Sequence, residues 1–418
     1  MNFILNRKNC IAFLVIGWLV RGMAYHFFPM VNDILIWGTV LWIGIILISE
    51  VIKKELKFDA MTISLCGLLG VMIISTVLNL DSIRAWKELE LMDVVISIIE
   101  AAGLFFILFT AAGQEEPEGY LLFLHNLFRI IFGYVCLLAL ASVILFVCYR
   151  MDIALPGGFG GADQIFTYGH MGEETRFCGL FGYSTDGGNL CALAAALGIY
   201  LYEQNKLPLG IAIAGIAVLI GTIVLLDVRT SMVACLLNGL LLGWYLLGKR
   251  TSKKKASVFV LAALVLVIAT GVYLKQDTIR YYLELYREDP YKTLRFLTTG
   301  RSNYWALAVQ GWKQKPFLGW GWLNNAYVDM FFDNHNIFFN LLLWTGAAGL
   351  GLFILFTILW FVRVIRRKQK TGIGIVLVIA AVCVQAMLDR AILGTANTGV
   401  ETMCFWLCTG LLAYGKPR

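Results

Sequence analysis

Four residues of this chain join a reactive side chain to a position that their apolar neighbours do not explain. His335 stands in DNHNIFFNLLLWTGAAGLG (residues 333–351), at the mouth of an apolar run that continues to Val362, beside Asp333, Asn334 and Asn336. An imidazole titrates near neutrality and can take a proton from a hydroxyl, although a histidine beside a helix start also serves as a cap or a packed ring. Arg229 lies in LLDVRTSMVA between two apolar runs, with hydroxyls on Thr230 and Ser231. It fits either a tight turn closed by an Asp227–Arg229 pair or a guanidinium turned towards an anion. Arg176 opens TRFCGLFGYSTDGGNLCA, and Arg301 lies in TTGRSNYWALAVQGW. Each arginine alone suits an interfacial anchor. Together, three guanidinium forks can grip the oxygens of a phosphate or diphosphate.

Other chemistries lack their residues. His26, His125, His170 and His335 are scattered, and no HxxE, HExxH or paired-carboxylate spacing occurs, so no metal site is expected. The GGFGG run at 157–161 is not followed by Lys-Ser or Lys-Thr, which argues against ATP or NAD as cofactor. The chain has 10 cysteines but no CxxC pair, and nearly all of them lie in or beside apolar stretches. They read as buried free thiols.

These side chains must be positioned by elements that live in a bilayer. The chain has 418 residues, of which 59% are hydrophobic and 15% charged, and its mean hydropathy is +0.77. Runs of about 20 apolar residues read as membrane helices. Twelve are drawn, at 10–28, 33–52, 59–80, 91–112, 125–148, 181–202, 208–226, 231–248, 256–274, 337–362, 372–388 and 397–415. The expectation is an all-α polytopic membrane protein with residues 1–418 as one integral domain.

The net charge of +7 does not mark a nucleic-acid surface, because the basic residues sit where topology places them. Arg7/Lys8, Lys53/Lys54/Lys57, Lys206, the Lys249–Lys255 cluster, the Arg363–Lys370 cluster and Lys416/Arg418 all fall on one side of the threading. Basic loops stay cytoplasmic, so both termini are expected there. The first apolar stretch carries Arg21, lacks a small-residue cleavage site and runs directly into a second span, so it is not read as a cleaved signal peptide. Threading then puts two long segments outside, 149–180 and 275–336. The second reads as partly helical, broken at Pro316 and Gly319–Gly321, and its many Tyr and Trp residues argue against disorder.

With sidedness assigned, the motifs fall into a recognisable order. TGRSNYWALAVQGWKQKPFLGWGW followed by DNHNIFFNLLLWTGAAGLGLF resembles the signature region of the O-antigen ligase and O-antigen polymerase superfamily. The matching positions are Arg301, Trp305, Pro316, Gly319, Gly321, His335, Asn336, Gly346 and Gly349. Upstream, Arg176, Gly179 and Asn189 are similar to the family's R-x-x-G segment ending in Asn, and Arg229 to its Ser-Arg or Thr-Arg motif. Val228 before Arg229, and Asp186–Gly187–Gly188 where the family often has Pro, depart from that pattern.

The resemblance implies a membrane glycosyltransferase of the C type that works in the bacterial cytoplasmic membrane without a metal. Its donor would be an undecaprenyl-diphosphate-linked oligosaccharide, and its acceptor a glycan or lipid hydroxyl. On that reading His335, Arg229 and Arg301 are catalytic. His335 serves as base or acceptor-positioning group, and the arginines hold the diphosphate. Arg176, Asn189, Asn336 and Trp305 contact substrate, and segment 275–336 is the catalytic loop. A polymerase of repeat units is expected first, with a ligase acting on a lipid or protein acceptor as the alternative. A lipid-linked glycan flippase is the competing class. It fits less well, because the stretches 208–226, 256–274 and 372–388 carry no charge in their apolar cores.

Overall fold

The computed structural model describes residues 6–27, 29–56, 58–86, 90–153, 166–168, 175–274, 301–325, 335–367, 372–388 and 399–415, with 280, 284, 286, 287, 289, 290, 327, 392 and 393. The principal helices are α1 Arg7–Phe27, α2 Pro29–Lys53, α3 Ala60–Leu78, α4 Leu91–Gly103, α5 Pro117–Arg150, α6 Ser184–Glu203 and α7 Leu209–Leu225. They continue with α8 Arg229–Arg250, α9 Lys253–Leu274, α10 Arg301–Gln314, α11 Ile337–Arg367, α12 Ile373–Leu388 and α13 Val400–Tyr414. Every predicted apolar stretch overlaps one of these, and α10 is the additional helix. Six helices are long and apolar enough to cross a membrane, among them Pro117–Arg150 and Ile337–Arg367, and three apolar helices, including Ile373–Leu388, are shorter. The expected helical fold holds with one small departure. Within 149–180, β1 (Phe166–Tyr168) and β2 (Thr175–Phe177) pair antiparallel.

α6 occupies the centre, against α5, α7, α8 and α12. Its LCALAAALG stretch is buried almost throughout, because small side chains let neighbouring backbones approach where lipid offers no hydrophobic drive. α3 lies along α11. All ten cysteines are free, as expected of thiols packed among apolar side chains.

Charged side chains fasten one end of the bundle. Arg7, at the start of α1, pairs with Glu50 at the end of α2, its Nε 2.8 Å from Oε1, while Glu203 on α6 accepts from the backbone N–H groups of Ile373 and Gly374 at 3.0 and 2.9 Å. Helix starts leave such N–H groups unpaired, and a carboxylate satisfies them while matching the helix dipole. Asp59 caps α3, accepting from Met61 N and Thr62 N at 3.1 and 3.0 Å. It also pairs with Arg363 of α11 and takes the Tyr414 hydroxyl at 3.0 Å. Burial opposes ionisation of Asp59, but the Thr62, Arg363 and Tyr414 bonds outweigh it and hold the carboxyl below its usual pKa.

α11 is not one continuous helix. At Gly346 the backbone takes φ 63° and ψ −162°, a region open essentially to glycine alone. The break strands backbone groups that would otherwise bond within the helix, and the segment 316–321 supplies their partners. Trp320 N and Gly321 N donate to Leu343 O and Trp344 O at 2.9 and 3.0 Å, while Ala347 N and Ala348 N donate to Pro316 O and Phe317 O at 2.8 and 3.1 Å. The two backbones pass so closely that a Cβ on Gly346 would collide with Phe317, and one on Gly319 with Leu343. Ser75 and Asn79 of α3 complete the seam, through Ser75 Oγ to Trp344 O at 2.8 Å and Asn79 Nδ2 to Gly319 O at 3.2 Å. Irregular backbone survives among membrane helices only when it is paired in this way.

Candidate functional site

Two of the predicted site residues, Arg301 and Asn336, meet at the C-terminal turn of α12, and Asn189 reaches the same helix from α6. The last carbonyls of a helix have no partner inside it and carry the negative end of its dipole, so they attract donors. Arg301, the first residue of α10, donates through Nη1 to Leu388 O. Asn336 donates through Nδ2 to Met387 O at 2.9 Å, and its Oδ1 accepts from Phe338 N and Phe339 N at 2.9 and 3.3 Å. Asn336 therefore caps α11 and ties that cap to α12. His335, one residue earlier, has φ 48°, the left-handed conformation that turns the chain sharply into the helix. Of the two structural alternatives for His335, the cap thus belongs to its neighbour. Trp305, one turn after Arg301, stacks on Phe339 with ring centroids 5.5 Å apart and planes 13° from parallel. The stack keeps the starts of α10 and α11 together.

Asn189 approaches the same turn from α6. Its backbone carbonyl accepts from Gln385 Nε2 at 3.0 Å, and its Oδ1 accepts from Ser231 Oγ at 2.9 Å. Ser231 is two residues beyond Arg229, which opens α8 and is exposed. The tight turn is formed, with only Leu226, Asp227 and Val228 between α7 and α8, but no Asp227–Arg229 ion pair closes it among the described residues. Arg176 stands apart. It is exposed on β2, in register with Thr167, and no hydrogen bond among the described residues links it to α12.

Arg176, Arg229 and Arg301 differ from Arg7 and Arg363 at the other end of the bundle, since none has a carboxylate partner among the described residues. Guanidinium groups without carboxylate partners among the described residues, one of them sharing a helix turn with the neighbour of His335, can bind an external anion beside a proton acceptor. Among the described residues no three His, Cys, Asp or Glu side chains gather to hold a metal. His125 is buried against the Tyr200 hydroxyl at 3.2 Å, whereas Asp333, Asn334 and His170 lie outside the described residues.

The aromatic residues of 301–325 serve the fold more than an open surface. Trp322 is fully buried and donates to Ser97 Oγ at 2.9 Å, and Trp320 donates to Gly311 O at 2.8 Å. In the sequence Gln385 is marked only by contrast, as a lone amide in an apolar run.

Residues 214–354 match the family model described as O-antigen ligase. The match supports the resemblance to the O-antigen ligase and polymerase superfamily, and with it a membrane protein of polysaccharide biosynthesis. It spans Arg229, Arg301, Trp305, His335, Asn336 and the Gly346 break, and leaves out Arg176, Asn189 and Gln385. Compared with curated proteins, the chain finds no match.

Proposed function

We propose that this O-antigen ligase and polymerase-like membrane protein is a glycosyltransferase that joins undecaprenyl-diphosphate-linked glycan repeat units on the outer face of the bacterial cytoplasmic membrane. Twelve helices span the bilayer, both termini face the cytoplasm, and segments 149–180 and 275–336 lie outside. The observation that carries the reading is the α12 turn, where Arg301 and Asn336 converge beside His335, while Arg229 and Arg176 lack carboxylate partners among the described residues.

The step is a single displacement. An acceptor hydroxyl oxygen forms a bond to the donor sugar's anomeric carbon as the bond from that carbon to the diphosphate oxygen breaks. His335 takes the hydroxyl proton. The electron pair leaves with the lipid diphosphate, whose growing charge Arg229 and Arg301 offset, with Arg176 reaching the same group from the hairpin. Arginine charge stands in for a metal. Asn336 and Asn189 hold the walls of the site, and Trp305 fixes its rim.

The family description favours a second reading on the same chemistry, transfer of the finished glycan to a lipid or protein acceptor. Purified protein in proteoliposomes, given a lipid-linked repeat unit alone, tests the choice. Products of increasing length support the polymerase, while transfer only after a second acceptor is added supports the ligase. Movement of the donor across the bilayer without joining would replace both with a transporter.

A further inference from the structure

We infer that Gln385 is a positioning residue, and that through it the last turn of α12 sets the Arg229 arm of the site against the Arg301–His335 arm. The consequence for transfer rests on the proposed function; the geometric coupling does not.

Gln385 is fully buried in α12. Its Nε2 donates to Asn189 O at 3.0 Å, while its Oε1 is buried without a hydrogen-bond partner. A half-satisfied buried amide is a poor way to fill space, because an apolar side chain of similar length would pack there without stranding an acceptor. What Gln385 offers that such a side chain cannot is the single bond to α6. Through Asn189 Oδ1 and Ser231 Oγ, 2.9 Å apart, that bond extends to the first turn of α8, where Arg229 stands.

Two and three residues further along α12, Met387 O receives Asn336 and Leu388 O receives Arg301. The carbonyls of Met387 and Leu388 project along the axis past the helix end, whereas the Gln385 side chain leaves from the flank of the helix. One short turn therefore holds α6 and α8 through a side chain, and α10 and α11 through two carbonyls. α12 is the described link between the arms at this end. α12 also packs along α6 and α8, so loosening its one side-chain bond among the described residues keeps the helices together and shifts the arms within that packing while each stays folded.

The test uses full-length protein in proteoliposomes, with genetically encoded spin labels at Val233 on α8 and Gln310 on α10, both exposed. Wild type should give one narrow distance. Gln385→Met removes the donor at similar volume and should broaden or shift that distance, with melting temperature little changed. On the proposed reading it also lowers kcat by on the order of 10- to 100-fold, since small misplacements of reacting groups cost that much, and moves donor KM far less. Ser231→Ala cuts the same chain one link further out and should broaden the distance to a smaller degree, which keeps the test decisive if Gln385→Met misfolds. An unchanged narrow distance with wild-type kcat per folded molecule overturns the inference. Absence of transfer by wild type would remove the proposed function, while the distance measurement would still decide the coupling.

Discussion

The two ends of α11 use the same residue types to opposite effect. At its C-terminal end Arg363 pairs with Asp59 and lies over the Tyr414 ring at 4.6 Å, so three helices are stapled by a charge that is satisfied internally. At its N-terminal end Asn336, next to His335, meets Arg301 over the α12 carbonyls, and no carboxylate among the described residues answers the arginine. Carbonyls orient a guanidinium without neutralising it. An arginine whose counterion is built into the fold, as for Arg363, does structural work. Among the described residues, Arg129 and Arg367 at that end are likewise held by carbonyls alone, so it is the place of Arg301 beside His335 and Asn336 that offers its charge to a ligand.

The strongest way to break this contrast is at His335. His335→Ala should reduce glycan joining by about 10²–10⁴-fold, the usual contribution of a positioned base, with insertion and melting temperature unchanged. A near-wild-type rate from purified variant would remove the base assignment. Arg229→Lys should cost about tenfold or more in kcat/KM, because lysine keeps the charge and loses the two-pronged geometry. Full activity with lysine would reduce Arg229 to a charge or a topological anchor.

Next in size is the seam that supports the N-terminal end. Gly346→Ala forces a side chain into a glycine-only conformation and against Phe317, and should destabilise the protein by roughly 3 kcal/mol or more. Thermal melts in detergent would show it, and an unchanged melting temperature would mean that the α11 break is not needed.

At the stapled end the effect is smaller and depends on pH. Asp59 has a lowered folded pKa, so its contribution is complete above the unfolded carboxylate value and is lost as pH falls through the folded one. Asparagine keeps the cap, so Asp59→Asn removes mainly the charge facing Arg363 and should cost up to about 1 kcal/mol near neutrality, and the gap from wild type should close below about pH 4. A gap that persisted in acid would assign the loss to packing. Chelation should have no effect on transfer. Activity lost to EDTA and restored by magnesium would make a carboxylate such as Asp227 or Asp333 a ligand and end the arginine-for-metal argument.

Hydropathy located the helices well, because a run of apolar residues announces itself over a window longer than any local detail. The same averaging hid the break in α11. The stretch 337–362 reads as one span, yet Gly346 interrupts it, and what stabilises the interruption is backbone pairing with residues 316–321, which no local pattern encodes. Pro316, Gly319, Gly321 and Gly346 were legible as a motif but not as two halves of one seam. The arginines and His335 were legible through their chemistry, and the α12 turn that brings Arg301 to Asn336 was not. Its acceptors are main-chain carbonyls, identical in every residue, and its one informative side chain, Gln385, carries no charge.

The central claim, that the uncompensated arginines hold a lipid diphosphate, is tested most directly by binding. Purified protein in detergent is titrated with a short polyprenyl diphosphate and with the matching monophosphate, comparing wild type, Arg229→Lys, Arg301→Lys and Arg363→Lys at equal folded concentration. The account predicts that wild type prefers the diphosphate, that Arg229→Lys and Arg301→Lys each weaken its binding by about tenfold, and that Arg363→Lys leaves it unchanged. Equal losses in all three variants, or none in the first two, would contradict it.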